Sequence, residues 1–327
     1  MAKTTFSDAE EFCSLLLSVL PAALRATLLL EPKRMRLLNG EFIAKNFGLL
    51  KTDLLWRIEY RPELVDAGFA PECAFVVLHF ESQGKKQPYF SRRVFAYNAA
   101  FTLDYIEKHP NAKALPPVLT LVLAHSKKRW EQPACFGVEQ YQMSGPVAAA
   151  FARFLPTFDF ITLELAAHTD AELAQGEAFA LLTPLARLTL LAMQAKARGG
   201  DALASDFIWN EPLLSRLGEA RQERLLRYIY SGTVDKSQFD AKIRAFNNRK
   251  TKEHLMTTAD QIKMEGRIEG RAEGRAEGIL AGMIRMGRAV LGMKPVAERT
   301  LLRKTREELQ AMFDALVARE PRLARAL

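Results

Sequence analysis

Asp53, Glu81 and Gln83 are the residues of this sequence whose types and spacing could do chemistry. Asp53 begins one stretch of alternating apolar residues, and Glu81 and Gln83 end the next such stretch. Side chains alternate along a strand, so Glu81 and Gln83 are expected on one face. Antiparallel pairing of the two strands would bring Asp53 beside that strand end. The two carboxylates could then share Mg2+, or Mn2+ in its place, because hard cations prefer oxygen ligands.

A divalent cation at this point would favour hydrolysis of a phosphodiester bond, because it polarises the phosphate and makes a bound water nucleophilic. The spacing of the acids is not specific to that chemistry, since many strands end in acidic residues for solubility. A structural role for Asp53 and Glu81 therefore stays open on the residues alone. His79, on the same predicted face as Glu81, could handle protons near the metal or be a hydrogen-bonded core histidine.

Four basic residues follow the candidate site in the chain: Lys85, Lys86, Arg92 and Arg93. The two arginines open a predicted helix, whose N-terminal end also favours anions. These side chains could contact nucleic-acid phosphates, which positions a duplex without reading its sequence. A solvated helix face is the alternative interpretation.

The formal net charge of +8 and the pI of about 9.4 favour a polyanionic partner. A second basic cluster at residues 127–129 precedes Trp130, where cations and an aromatic ring could meet a displaced base. Charges that serve only solubility would give the same pattern.

The composition, 49% hydrophobic and 26% charged, predicts a packed core rather than disorder. Three widely spaced cysteines and the absence of a paired histidine motif argue against a disulfide framework and a structural zinc site. No apolar run reaches the length of a bilayer span, and the N-terminus lacks the pattern of a secretory signal. We therefore expect a soluble, cytoplasmic protein with no membrane partner.

The elements that must position these residues alternate between helix and strand in the first half of the chain. The spacing of apolar residues predicts an α/β fold, a mixed sheet flanked by helices, with helices at 8–20 and 88–107 and strands at 52–60, 74–80, 117–124 and 158–165. Beyond residue 168 the periodicity is helical, with predicted helices at 171–197, 211–230, 235–247 and 307–317. The predicted domains are a core at 1–166, a helical domain at 167–255 and a helical tail at 256–327.

A Glu-Gly-Arg repeat marks the tail and places glycine at every fourth residue from Gly266 to Gly282. Each glycine costs an isolated helix about 1 kcal/mol. A row of small residues lets helix backbones approach closely, and the acidic and basic stripes beside it could pair between chains. This pattern predicts a homo-oligomer that assembles through the tail. A frayed, solvated linker is the alternative.

Several stretches occur together in a recognisable order: residues 52–57 (TDLLWR), 78–83 (LHFESQ), 115–118 (LPPV), 158–160 (FDF) and 256–259 (MTTA), followed by the repeat. Over roughly residues 8–282 the sequence resembles the recombination-promoting nuclease (Rpn) family, whose members are also described as transposases, within the PD-(D/E)xK nuclease superfamily. The resemblance implies a restriction-endonuclease-like core that cuts DNA with Mg2+ and little sequence specificity, in recombination or transposition of mobile DNA.

The resemblance also implies roles for the three residues. Asp53 and Glu81 match the family's two metal ligands. Gln83 stands where the superfamily usually has lysine and this family usually has glutamine, so its amide would orient the water or the phosphate.

Two features depart from the family pattern. The usual opening His-Asp-x-x-Phe-Lys element is replaced by Met1 to Phe6, and Ser82 stands where a histidine is common. Glu10 or Glu11 could instead supply a helix carboxylate to the site. The alternative to a nuclease is a catalytically impaired DNA-binding or oligomeric accessory protein of the same family, and a protein-interaction scaffold is a third hypothesis.

Overall fold

The computed structural model describes most of the chain, namely residues 2–38, 41–44, 48–51, 54–81, 90–129, 134–231, 237–301 and 303–320. Within these ranges, the side chains of residues 41–44, 48–51, 81, 139, 200 and 201 are not described. Asp53, Gln83, Lys85 and Lys86 therefore lie outside the described residues, and of Glu81 only the backbone is described. The chain forms two compact units, residues 1–256 and 257–327. The predicted division into three domains stays a prediction.

The strands all belong to the first unit. They are β1 (Arg36–Leu38), β2 (Glu41–Ala44), β3 (Gly48–Lys51), β4 (Leu54–Glu59), β5 (Cys73–Glu81), β6 (Val118–Ala124), β7 (Cys135–Phe136), β8 (Phe158–Asp159) and β9 (Ile161–Glu164). A five-stranded sheet has the order β1-β4-β5-β6-β9, while β2 with β3 and β7 with β8 form two-stranded sheets. In the larger sheet β1, β4 and β5 pair antiparallel, whereas β5, β6 and β9 pair parallel. The predicted mixed α/β sheet is confirmed.

The helices alternate with the strands and then continue alone to the end of the described residues. They are α1 (Ala2–Thr5), α2 (Ala9–Val19), α3 (Ala22–Thr27), α4 (Pro62–Asp66), α5 (Phe90–Lys108), α6 (Gly145–Phe151), α7 (Asp170–Gln175), α8 (Pro184–Arg198), α9 (Glu211–Ser215), α10 (Glu219–Tyr230), α11 (Ser237–Arg244), α12 (Arg249–Val290), α13 (Glu298–Leu301) and α14 (Arg306–Arg319). No helix among the described residues has both the length and the apolar character needed to cross a membrane.

The two faces of the large sheet are buried by different helices. On one face the Trp56 ring stacks on Phe12 of α2, with ring centroids 5.1 Å apart. On the other face Leu55, Phe75 and Val77 form a buried cluster with residues of α5. The alternation of side chains along β4 and β5 therefore matches the period of two that the sequence predicts. Because β5 is covered on both sides, its residues from Cys73 to Leu78 are all apolar.

The strand predicted at residues 158–165 is wrong as one element. Phe160 lies between β8 and β9, which belong to different sheets, and a 3-10 turn begins at Leu165. The Phe160 side chain is buried with Phe90 and Val94 of α5. A run of apolar residues indicates burial, but it does not show where a strand passes from one sheet to another.

The helix predicted at residues 171–197 is also wrong as one element, because α7 ends at Gln175, with Gly176 as its C-cap residue, and α8 begins at Pro184. Proline at the first helical position lacks only an N–H that would have no helical partner, so it marks a start. Thr183 caps α8, and its hydroxyl accepts from the Ala186 N–H at 3.1 Å. In the same way, the helix predicted at 211–230 is divided at Gly218, the N-cap residue of α10.

The second unit has its own small core. Ala281 and Ile284 of α12 pack with Leu301 of α13 and with Leu309 and Leu316 of α14. Thr305 and Glu308 form a reciprocal capping box at the start of α14. The Glu-Gly-Arg repeat lies within α12, and a Cβ atom added to any of its five glycines would meet nothing within 4 Å beyond the helix's own backbone.

Candidate functional site

Glu81 lies at the end of β5, at one edge of the large sheet. Of the predicted trio it alone lies within the described residues, and only its backbone is described. The Glu81 backbone pairs with Ala124 at the end of β6. On the other side of β5, Leu78 pairs with Leu54, which directly follows Asp53 in the sequence. The antiparallel pairing predicted for these two strands is thus confirmed. Whether Asp53, Glu81 and Gln83 meet stays a prediction.

His79 lies on the α5 side of β5, two residues before Glu81. Its side chain is buried, and its ring centroid lies 4.8 Å from that of Tyr97 in α5. Val77, the preceding residue on this face, packs in the same interface. Tyr97 therefore packs against the His79 ring near the strand end.

The two arginines predicted to contact DNA stand exposed in the first turn of α5. Arg92 donates a hydrogen bond to the Gln140 carbonyl at 3.0 Å. The Arg93 guanidinium carbon lies 5.4 Å from the centroid of the Phe90 ring. Both arginines therefore have neighbours that limit their positions, while their exposure leaves them accessible to a polyanion.

A second group of exposed basic residues, 127–129, follows the end of β6. The Ser126 hydroxyl donates to the Lys128 carbonyl at 2.5 Å, which ties the loop to the strand end. The Arg129 Nε atom lies 3.9 Å from a carboxylate oxygen of Glu164, at the end of β9. Because β5 and β6 are parallel, this loop starts at the sheet edge where Glu81 lies. The neighbouring Trp130 lies outside the described residues.

An acidic cluster at the N-terminus of α2 comprises Asp8, Glu10 and Glu11, each with a carboxylate oxygen within 4.8 Å of the others. Such oxygens could hold a metal ion, but Arg221 of α10 already lies among them. Its guanidinium is 2.8 Å from Glu10, 3.5 Å from Glu11 and 3.8 Å from Asp8. A cation would have to compete with this fixed positive charge, so the cluster is better suited to joining α2 to α10.

Glu11 is fully buried and connects α2 to the start of α8. Its carboxylate accepts hydrogen bonds from the Thr183 hydroxyl and, at 3.1 Å, from the Ala186 N–H. A negative charge at a helix N-terminus is favourable. Burial nevertheless raises the pKa of Glu11, although the Thr183 hydrogen bond and the Arg221 charge act against the rise. These contacts give Glu11 a structural role.

The sequence does not predict that the three acids of this cluster lie together with Arg221. Asp8 has a local signal, because its side chain accepts from the Glu10 N–H at 2.9 Å as the N-cap of α2. Arg221, in contrast, is 211 positions from Glu10. No periodicity or short motif relates residues so far apart.

The fold is that of an α/β protein with a mixed sheet flanked by helices. An acidic residue ends one strand of this sheet, and exposed basic residues around the same edge make that edge a candidate polyanion-binding site. The chain belongs to the family described as "Putative transposase, YhgA-like", whose model matches residues 1–194. This match confirms the family resemblance and relates the chain to transposition and recombination of DNA. Comparison with curated proteins and with solved structures gave no match.

Proposed function

We propose that this protein is a Mg2+-dependent DNA endonuclease with low sequence specificity that acts in recombination or transposition, built on a PD-(D/E)xK type core. The observation that supports it most is the antiparallel pairing of β4 with β5 in a chain of the transposase family. In this register Leu54 lies opposite Leu78, three residues before Glu81.

The roles of the trio follow from the alternation of the two strands. Leu55 of β4 and Val77 of β5 both face α5. Regular alternation carried from Leu55 back to Asp53, and from Val77 through His79 to Glu81, would direct both carboxylates to the α5 face. In the proposal Asp53 and Glu81 bind the metal, and Gln83 orients the water or the phosphate through its amide.

The donor set suits Mg2+, because carboxylate and amide oxygens are hard ligands and two carboxylates leave positions for water. When bound, the cation would polarise the phosphate and lower the pKa of a bound water. The protein groups would hold the reacting phosphate in place. Lys85, Lys86, Arg92 and Arg93 are proposed to contact the DNA backbone, together with residues 127–129.

The nicking of supercoiled plasmid by the full chain tests this proposal. With Mg2+ we expect nicked circles, whereas the Asp53→Asn and Glu81→Gln proteins should fall to the background seen with EDTA. Both substitutions remove a negative charge and keep the side-chain size. Asp66→Asn, at an exposed position in α4, is the matched control and should cut like the parent. Full activity of the Asp53→Asn and Glu81→Gln proteins would exclude this site.

The second candidate function, an impaired DNA-binding or oligomeric accessory protein, has one specific observation in its favour. The N-terminal segment serves packing, since the Phe6 side chain is fully buried and its ring lies 6.3 Å from that of Phe80. The Phe6 carbonyl also accepts from the Trp56 indole N–H at 3.3 Å. Lys3 is the only ionisable side chain in the segment that replaces the usual His-Asp element.

The same assay separates the two candidates. A parent protein that shifts DNA in a salt-dependent way, yet leaves plasmid uncut in both Mg2+ and Mn2+, would favour the accessory role. Absence of DNA binding at low salt would point to a protein-interaction scaffold. In either DNA-related role we propose a homo-oligomer assembled through the tail.

A further inference from the structure

A cavity of about 550 Å3 opens between the large sheet and the C-terminal half of α5. Its volume falls in the range of small-molecule sites, roughly 300 to 1,000 Å3. Cys73, at the start of β5, lines it, whereas Glu81 lies at the other end of the same strand. Eight residue steps along a strand span roughly 26 Å. The cavity is therefore separate from the proposed metal site.

The inner wall of the cavity is apolar and largely aromatic. The rings of Phe75 and Phe101 lie 4.7 Å apart, and Tyr105 meets Phe75 edge-on at 6.1 Å. Tyr105 in turn stacks on His109 at 4.2 Å. Leu55 completes the wall. Such a surface favours a flat ring, because aromatic groups gain from offset and edge-on contacts in addition to area burial.

Four charged residues line the cavity: the cations Arg57 on β4 and Lys108 at the end of α5, and the carboxylates Glu72 and Asp104. Each cation is paired with a carboxylate, since Arg57 lies 3.3 Å from Glu59 and Lys108 lies 2.8 Å from Asp104. A guanidinium group has about five N–H donors and an ammonium group about three, so each cation keeps donors that its carboxylate partner does not use. An anionic group beside either cation would receive hydrogen bonds from these remaining donors.

We propose that this cavity binds a small planar aromatic anion, such as an aromatic carboxylate or sulfonate, with its ring on the Phe75, Phe101 and Tyr105 wall and its anionic group toward Arg57 and Lys108. The mixture of an apolar wall with a few oriented polar groups is the usual composition of a ligand site. Arginine suits this arrangement, because it both pairs with oxyanions and stacks on rings.

The aromatic sulfonate 1-anilinonaphthalene-8-sulfonate is the probe, titrated by fluorescence into the full-length protein. Cys73 serves as a reporter inside the cavity: iodoacetamide labelling, followed by mass spectrometry, is measured with and without the probe. A Cys135→Ala background removes the other partly exposed thiol, and Cys13 is buried. Burial raises the pKa of Cys73, so labelling requires alkaline buffer. We expect saturable binding that slows Cys73 labelling.

Arg57→Met and Lys108→Met should each weaken probe binding by about tenfold or more, as expected for loss of a hydrogen bond to a charged group. Lys108 is an exposed position where substitution spares the core. Arg34→Met is the matched control, because Arg34 also pairs with Glu59, at 2.7 Å, but does not line the cavity. Unchanged Cys73 labelling, or parental affinity in both Met variants, would overturn the proposal.

Discussion

At the scale of single residues, the molecule contains two kinds of acid that the sequence does not distinguish. Asp53 and Glu81 are strand-end acids proposed to bind a metal, whereas Glu11 is buried between α2 and α8. Local spacing identified the strand ends because side-chain alternation is a short-range property. The position of Glu11 in a helix allows it to contribute to the site, and its contacts with Thr183 and Ala186, more than 170 positions away, cannot be predicted from its neighbours in the sequence.

Glu11 should make stability depend on pH. A raised pKa means that the folded protein holds the proton more tightly than the unfolded chain. Stability from this group is therefore lost as pH rises from about 4.5 through the raised pKa. The Glu11→Gln protein lacks this titration. We expect its melting temperature, relative to that of the parent, to increase as pH rises from 4.5 toward neutrality.

Glu172 provides a control of opposite sign. The backbone and hydroxyl of Thr169 donate to its carboxylate in the capping box of α7, which lowers the pKa of Glu172. Its contribution is present above the ordinary pKa and is lost as pH falls through the lowered value. The melting temperature of the parent should thus exceed that of the Glu172→Gln protein by a growing margin as pH rises. Parallel pH trends for the two substitutions would contradict the assignment for Glu11.

At the scale of elements, the sequence predicted β4, β5, β6 and α5 well and the helices after residue 168 poorly. The strands and α5 have a strong pattern, since each shows regular apolar spacing between polar turns. From α7 to α10 the same helical periodicity continues across the breaks at Gly176, Pro184 and Gly218. The apolar pattern reports which residues are buried, and burial alone does not require one continuous helix.

Replacing Gly274 by alanine tests the element that carries the repeat. A Cβ at this position would meet nothing within 4 Å. Alanine should therefore stabilise α12 by about 0.5 to 1 kcal/mol, because it restricts the unfolded chain and favours helix. Circular dichroism during thermal unfolding, at a concentration too low for association, provides the measurement. A lower melting temperature there would contradict the expectation that α12 accommodates a Cβ atom at Gly274.

At the scale of the whole molecule, the change in periodicity along the chain predicts a mixed sheet followed by a helical domain and a helical tail. The tail proved to contain a second compact unit with its own core, built by α13 and α14 on the end of α12. Within the second unit, the repeat leaves Ile268 and its neighbouring glycines exposed. An exposed apolar side chain among small residues is what a helix partner would cover.

Removal of the chain after Met264 tests whether this exposed stretch assembles the protein. The shortened chain keeps the whole first unit, residues 1–256, and loses every repeat glycine. We expect light scattering to give an oligomer for the full chain and a smaller number of subunits for the shortened one. Full-length Gly270→Leu is the complementary variant, because a bulky side chain would prevent close approach of two backbones without deleting either unit. An equal number of subunits in all three proteins would exclude assembly through the repeat. If only the shortened chain has fewer subunits, the contact between chains would be assigned to α13 and α14.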